Sequence, residues 1–144
     1  MLQISKLESS DRTAWQALAQ GYRDFYAIPT TAAEFDAAWH RIAESGTVHG
    51  LGARWDGQLV GIAHFFPHYS TWAGSVYYLQ DLFTAPEARG KGVARALIDE
   101  IARQARQEGA QRFYWMTQEN NSTARLLYEK IAKYNGFIRY DYPL

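Results

Sequence analysis

Residues Tyr77–Ala110 read YYLQDLFTAPEARGKGVARALIDEIARQARQEGA, and within this stretch the chain changes from one periodicity to another. The apolar and aromatic run Val76–Phe83 has strand character, and Pro86 ends it. Arg89-Gly90-Lys91-Gly92-Val93-Ala94 follows, with two glycines where the backbone must turn and bring its amides close to something. From there Val93, Leu97, Ile101 and Ala105 recur at helical spacing, which predicts an amphipathic helix stopped by Gly109. A strand that feeds a basic glycine turn at a helix N-terminus makes an anion site. Free N–H groups converge there, the helix dipole adds partial positive charge, and phosphate is the expected guest.

Elements of both kinds flank this unit. Leu2–Lys6 is a short candidate strand, and Ser9-Ser10-Asp11 offers an N-cap to a helix carrying Ala14, Trp15, Leu18, Ala19 and Tyr22, running to about Tyr26. Thr31-Ala-Ala-Glu34 has the capping-box pattern ahead of the stripe Phe35, Ala38, Trp39 and Ile42, and Gly46 closes that second helix. Asp56-Gly57 separates two strand-like runs, Val48–Trp55 and Gln58–Phe66, which predicts a hairpin. Pro67–Gly74 reads as a loop, Gln111–Thr117 as a strand, Asn120-Asn121-Ser122 as a cap for a helix to about Lys133, and Gly136–Tyr142 as a last strand. The expected order is β-α-α-β-β-β-α-β-α-β, an α/β chain with a mixed sheet and helices on both sides.

Composition narrows the function. With 144 residues and neither repeat nor linker, residues 1–144 read as a single domain. Lys plus Arg and Asp plus Glu both number 15, so the basic surplus that usually marks a nucleic-acid partner is missing. The absence of cysteine excludes disulfides, thiol nucleophiles and zinc–thiolate sites, and no metal is expected. Without a signal-like start or a long apolar run, the expectation is a soluble, cytoplasmic protein with no membrane partner. Ten Tyr in a chain of this size point to a pocket that uses both rings and hydroxyls.

Two motifs, Arg89-x-x-Gly92-x-Ala94 and Asn121-Ser-Thr-Ala124-Arg-Leu-Leu127-Tyr128-Glu-Lys, occur in order and are joined by a strand. Together they resemble the signature blocks of the GCN5-related N-acetyltransferase (GNAT) superfamily. YLQDLF at Tyr78–Phe83, YWMTQENN at Tyr114–Asn121 and GFIRY at Gly136–Tyr140 are similar in finer detail to its yeast Hpa2-like branch. Ile131–Asn135 is an addition between Tyr-Glu-Lys and Gly-Phe, so a longer last helix is expected before the final strand.

The resemblance implies acetyl-coenzyme A as cofactor, with Arg89, Gly90, Lys91, Gly92, Val93, Ala94 and Arg95 around its pyrophosphate. It also implies that Leu82, Phe83 and Thr84 lie along the pantetheine arm and that Asn121, Ala124 and Tyr128 complete the site. The Leu82 N–H is the implied oxyanion donor, and Tyr128 the general acid at the leaving sulfur. The base stays open. Diamine acetyltransferases carry glutamate where Gln80 stands, which removes that position. Asp81 is the next choice, although strand alternation turns it to the other face unless a bulge intervenes. Glu119, His64, His68 or a water wire are the others. Tyr22 and Tyr26, with Gln80 and Glu119, are candidates for the acceptor site, alongside Tyr69 and Trp72. The implied activity is acetyl transfer to a primary amine, of polyamine or amino-acid type. A protein lysine or N-terminal amine, and a non-catalytic acyl-coenzyme A sensor, are the alternatives. A nucleotide site is disfavoured because Arg89–Ala94 lacks a P-loop ending. The final strand makes a homodimer an expectation.

Overall fold

A computed structural model describes residues 1–144. Five strands form one sheet in the order β1-β2-β3-β4-β5: β1 (Leu2–Lys6), β2 (His49–Trp55), β3 (Gln58–Ser70), β4 (Gly74–Thr84) and β5 (Arg112–Trp115). The first four pair antiparallel, while β5 runs parallel to β4 after a crossover through α3 (Val93–Gln107). The remaining helices are α1 (Arg12–Phe25), α2 (Ala32–Trp39), which continues into a π-helical turn at His40–Glu44, and α4 (Ser122–Ile131).

Local chemistry explains most of these boundaries. Asp56 and Gly57 both have positive φ, 48° and 87°, which gives the hairpin turn whose twist matches its strands. Thr31 caps α2 reciprocally, its Oγ1 accepting the Glu34 N–H at 3.2 Å while its own N–H donates to Glu34 Oε2 at 2.7 Å. The helices cover opposite faces of the sheet. A Cβ at Gly61 would meet Val93 of α3 at 2.7 Å, whereas His64, three residues on, meets Trp15 of α1. Between these layers lies one core built on Trp15, Ile62, Phe65, Leu97 and Ile101.

Two expectations need correction. Pro67–Gly74 is not a loop: β3 runs on to Ser70, with Pro67 opposite Tyr77, and only residues 71–73 turn. Pro67 still has a carbonyl to offer, and alternating aromatics continue the pairing around it. The end of the chain also differs. α4 stops at Ile131 rather than running longer, and residues 132–144 join no strand, so the sheet ends at β5. Gly136–Tyr142 has strand alternation but no partner strand within this single chain.

Candidate active site

At the centre of the sheet β4 departs from β5. Their pairing runs from Val76↔Arg112 to Leu79↔Trp115 and stops. Beyond it, Leu82, Phe83 and Thr84 pair only on the β3 side. The Ala85 N–H donates to the Val60 carbonyl at 2.8 Å. Strand alternation then turns the N–H groups of Leu82 and Thr84 away from β3, onto the open edge. Thr84 Oγ1 is buried there without a partner, and the Arg89 Nε lies 3.2 Å from the Thr84 carbonyl. A buried unpaired hydroxyl beside two free amides is costly unless an extended, amide-bearing ligand lies along the edge. An acetyl-pantetheine arm fits that description.

The glycine turn lies at the end of the same strand. Gly92 has φ 81°, a left-handed conformation in which most side chains are strained, and it starts α3 with no side-chain cap. The first amides of α3 thus lack intrahelical acceptors and open onto solvent. Nearby cations are partly engaged elsewhere: Arg95 pairs with Asp99, Lys91 lies over the Trp55 ring and Arg89 over the Phe83 ring. The amides, with Gly90 and Gly92 allowing close approach, are therefore the groups of this turn most open to an anion.

A β-bulge re-aims the acceptor side. The β3–β4 register passes from His64↔Asp81 to Phe65↔Leu79, so Gln80 is the extra residue. Gln80 is pushed outward and Asp81 turns inward, toward α1. A cleft forms with Tyr22 and Tyr26 on one side, Gln80, Asp81 and Leu82 below, and Trp115–Thr117 with Tyr128 on the other. The Trp115 and Tyr128 rings meet edge to face at 5.3 Å. Burial above all, and then Tyr26 beside it, pushes the Tyr128 hydroxyl up to about 12. Tyr22 is raised further, first by burial and then by the Asp81 carboxylate next to it. Both phenols keep their protons at any physiological pH and act as donors.

The expected site residues do not all converge. Tyr22, Tyr26, Gln80, Asp81, Leu82 and Tyr128 share the cleft; Glu119 does not line it, offering its backbone carbonyl to Arg125 instead. His68 pairs with the Tyr114 hydroxyl at 2.8 Å, and Tyr69 and Trp72 are exposed on the β3–β4 hairpin. Asn121 precedes α4 without capping it through its side chain, and its Nδ2 donates to Thr117 Oγ1 at 3.1 Å. Sequence pattern did not point to Trp115–Thr117 as cleft wall, nor to Trp15 as the indole that meets His64. The one signal available was an aromatic-rich strand next to the Asn121 block.

The molecule thus combines a splayed parallel strand pair, a glycine turn at the start of α3 and a tyrosine-lined cleft. The acetyltransferase (GNAT) family matches residues 15–134, and the chain belongs to that family of N-acetyltransferases. It is 32% identical over 134 residues to the D-amino-acid N-acetyltransferase HPA3 of Saccharomyces cerevisiae, covering 90% of this chain and 83% of that protein. It is 34% identical over 92 residues to the thialysine N-epsilon-acetyltransferase of Caenorhabditis elegans, covering 64% and 58%. The crystal structure of ribosomal-protein-alanine N-acetyltransferase from Brucella melitensis superposes with a TM-score of 0.84 at 25% identity, over all of both chains.

Proposed function

We propose that this enzyme transfers acetyl from acetyl-coenzyme A directly to the primary amine of a small molecule, of amino-acid or polyamine type. The observation that carries this reading is the bulge at Gln80, which brings the Asp81 carboxylate into an aromatic cleft beside the open edge of β4. A carboxylate among tyrosine faces suits an ammonium group. The names of the yeast and nematode relatives, a D-amino-acid and a thialysine acetyltransferase, support an acceptor that carries an amino-acid amine.

When bound, the cofactor supplies the acetyl group as a thioester. The amides of Gly90–Arg95 bind its pyrophosphate, and the edge of Leu82–Thr84 aligns its arm. The Leu82 N–H polarises the thioester carbonyl. Asp81 takes one proton from the substrate ammonium and passes it to solvent. The freed lone pair makes the C–N bond as the C–S bond breaks. Tyr128 donates its proton to the departing sulfur and regains one from the second proton that the nitrogen sheds. Transfer is direct, because no cysteine exists to carry the acetyl group. The reading includes a cytoplasmic location and a homodimer, the latter supported by the unpaired β5 edge and the strand-like Gly136–Tyr142.

A thiol-release screen over D- and L-amino acids, polyamines and lysine peptides tests the acceptor class. Turnover is expected with free amines and not with peptides; a peptide preference would overturn the small-molecule reading. A parallel titration with acetyl-coenzyme A, coenzyme A and ATP tests the donor, and preference for ATP would sink it. No helix is long and apolar enough to cross a membrane.

A further inference from the structure

His64 is the one polar residue in the buried core, 7% exposed, and both of its ring nitrogens are engaged. The Trp15 Nε1–H donates to His64 Nε2 at 2.9 Å, and His64 Nδ1 lies 2.9 Å from Asp81 Oδ2. An indole nitrogen donates and never accepts, so Nε2 must present its lone pair to Trp15. The ring proton is thereby placed on Nδ1, where it is donated to Asp81. A second ring proton could enter only by breaking the Trp15 bond inside the core. His64 therefore has no free lone pair for the cleft, and it cannot serve as the base.

We propose that Trp15 and His64 are positioning residues for acetyl transfer: the indole fixes the imidazole as an Nδ1–H donor, and that donor holds the Asp81 side chain aimed at the acceptor amine. The proposal deepens the reading of Asp81 given above and rests on it. Two further observations support the design. Trp15 is itself fixed, packed against Trp39 at 5.0 Å and edge-on to Phe35 at 6.3 Å, so its N–H has little freedom. Asp81 has no Lys or Arg partner within salt-bridge distance, and its contact with His64 is a hydrogen bond from a neutral ring. The other titratable groups around it are phenols: Tyr22 from α1, Tyr26 directly after that helix, Tyr78 from its own strand, and Tyr128 across the cleft. The charge that meets the ammonium is thus set by donors and not by a competing cation. Oδ2 is committed to His64, and the Tyr22 hydroxyl is the other donor to the carboxylate, so the acceptor amine would meet Asp81 beside a phenol.

The test uses the full chain. In the 15N spectrum at neutral pH His64 is expected to show a pyrrole-type Nδ1 and a pyridine-type Nε2; a proton on Nε2 would overturn the proposal. With the amine that turns over best in the thiol-release screen, His64→Leu removes the donor, and kcat should fall at least about tenfold while the dissociation constant for acetyl-coenzyme A stays within about a factor of two. His64→Asn, whose Nδ2 occupies the donor position, should recover most of that loss. Unchanged kcat in His64→Leu, or failure of Asn to recover a lowered one, contradicts the positioning role. Turnover of Asp81→Asn decides the underlying reading separately: a variant as fast as the parent would remove Asp81 as proton acceptor, whatever the His64 variants show.

Discussion

Tyr128 combines burial with a free hydroxyl at the cleft wall, and the two together define what it can do. Burial raises it to about 12, so it never becomes a phenolate in the working range and is a proton donor throughout. In the proposed mechanism the group it serves is a departing thiolate, which gains most from a donor only as the C–S bond breaks. Tyr128→Phe should therefore lower kcat by about 10²-fold while the dissociation constant for acetyl-coenzyme A stays within about a factor of two. Steady-state rates with a calorimetric titration make the comparison, and unchanged turnover would remove Tyr128 from the catalytic set. The same residue shows what could be read in advance. Its place in the Asn121–Lys130 block was visible in the sequence, because helical spacing and a motif both mark it. Asp81 was not assignable in that way. Plain alternation turns it to the wrong face, and only the extra residue Gln80 reverses this. A bulge leaves no composition signature, since it depends on where two strands pair.

At the level of elements, the glycine turn and its helix were legible because they rest on local chemistry: Pro86, the two glycines and the apolar face of α3 each act within a few residues. Gly92 supports a specific expectation. Its φ of 81° strains other residues, yet a Cβ there meets no protein atom within 4 Å. Gly92→Val should thus fold, losing on the order of 1–3 kcal/mol to backbone strain. Its isopropyl group would stand in the open space assigned to the phosphates in the proposed reading. Affinity for coenzyme A should fall at least about tenfold, equivalent to about 1.4 kcal/mol, while the circular dichroism spectrum stays that of the parent. Retained affinity would count against the turn as the phosphate site. Gly21 illustrates the converse, a glycine set by distant packing. A Cβ on this residue of α1 would lie 2.8 Å from the Phe83 ring, a contact that no local pattern announces. Long-range contacts of this kind, like the Trp15–His64 bond across 49 positions, are what the sequence left unread.

For the whole molecule, the tyrosines and the end of the chain each make a prediction. Tyr22, Tyr26, Tyr77, Tyr78 and Tyr128 are all raised, burial being the largest cause in every case. In the unfolded chain they ionise near pH 10. Between that pH and their folded values the native state binds more protons than the unfolded one. Stability that is complete below about pH 10 therefore falls as the pH rises, with the Tyr128 contribution exhausted near 12. Urea midpoints measured at pH 8 and above 10 should show a clear drop, and a flat profile would mean that the phenols are solvated. The second prediction concerns assembly. Phe137, Tyr140 and Tyr142 are 87%, 86% and 87% exposed in the single chain, an unusual outlay of aromatic surface for a segment with strand alternation. β5 meanwhile presents a free edge, a template for another strand. A second copy satisfies both needs if its Gly136–Tyr142 segment adds to the β5 edge and the exchange is reciprocal, as two-fold symmetry requires. Light scattering on the full chain should then give twice the 16.5 kDa chain mass. Truncation after Asn135 should return the single-chain mass, because it removes the added strand and leaves α4 and the cleft in place. A full-length chain that is monomeric at micromolar concentration, or a truncated chain that still dimerises, would show that these aromatics serve some other contact.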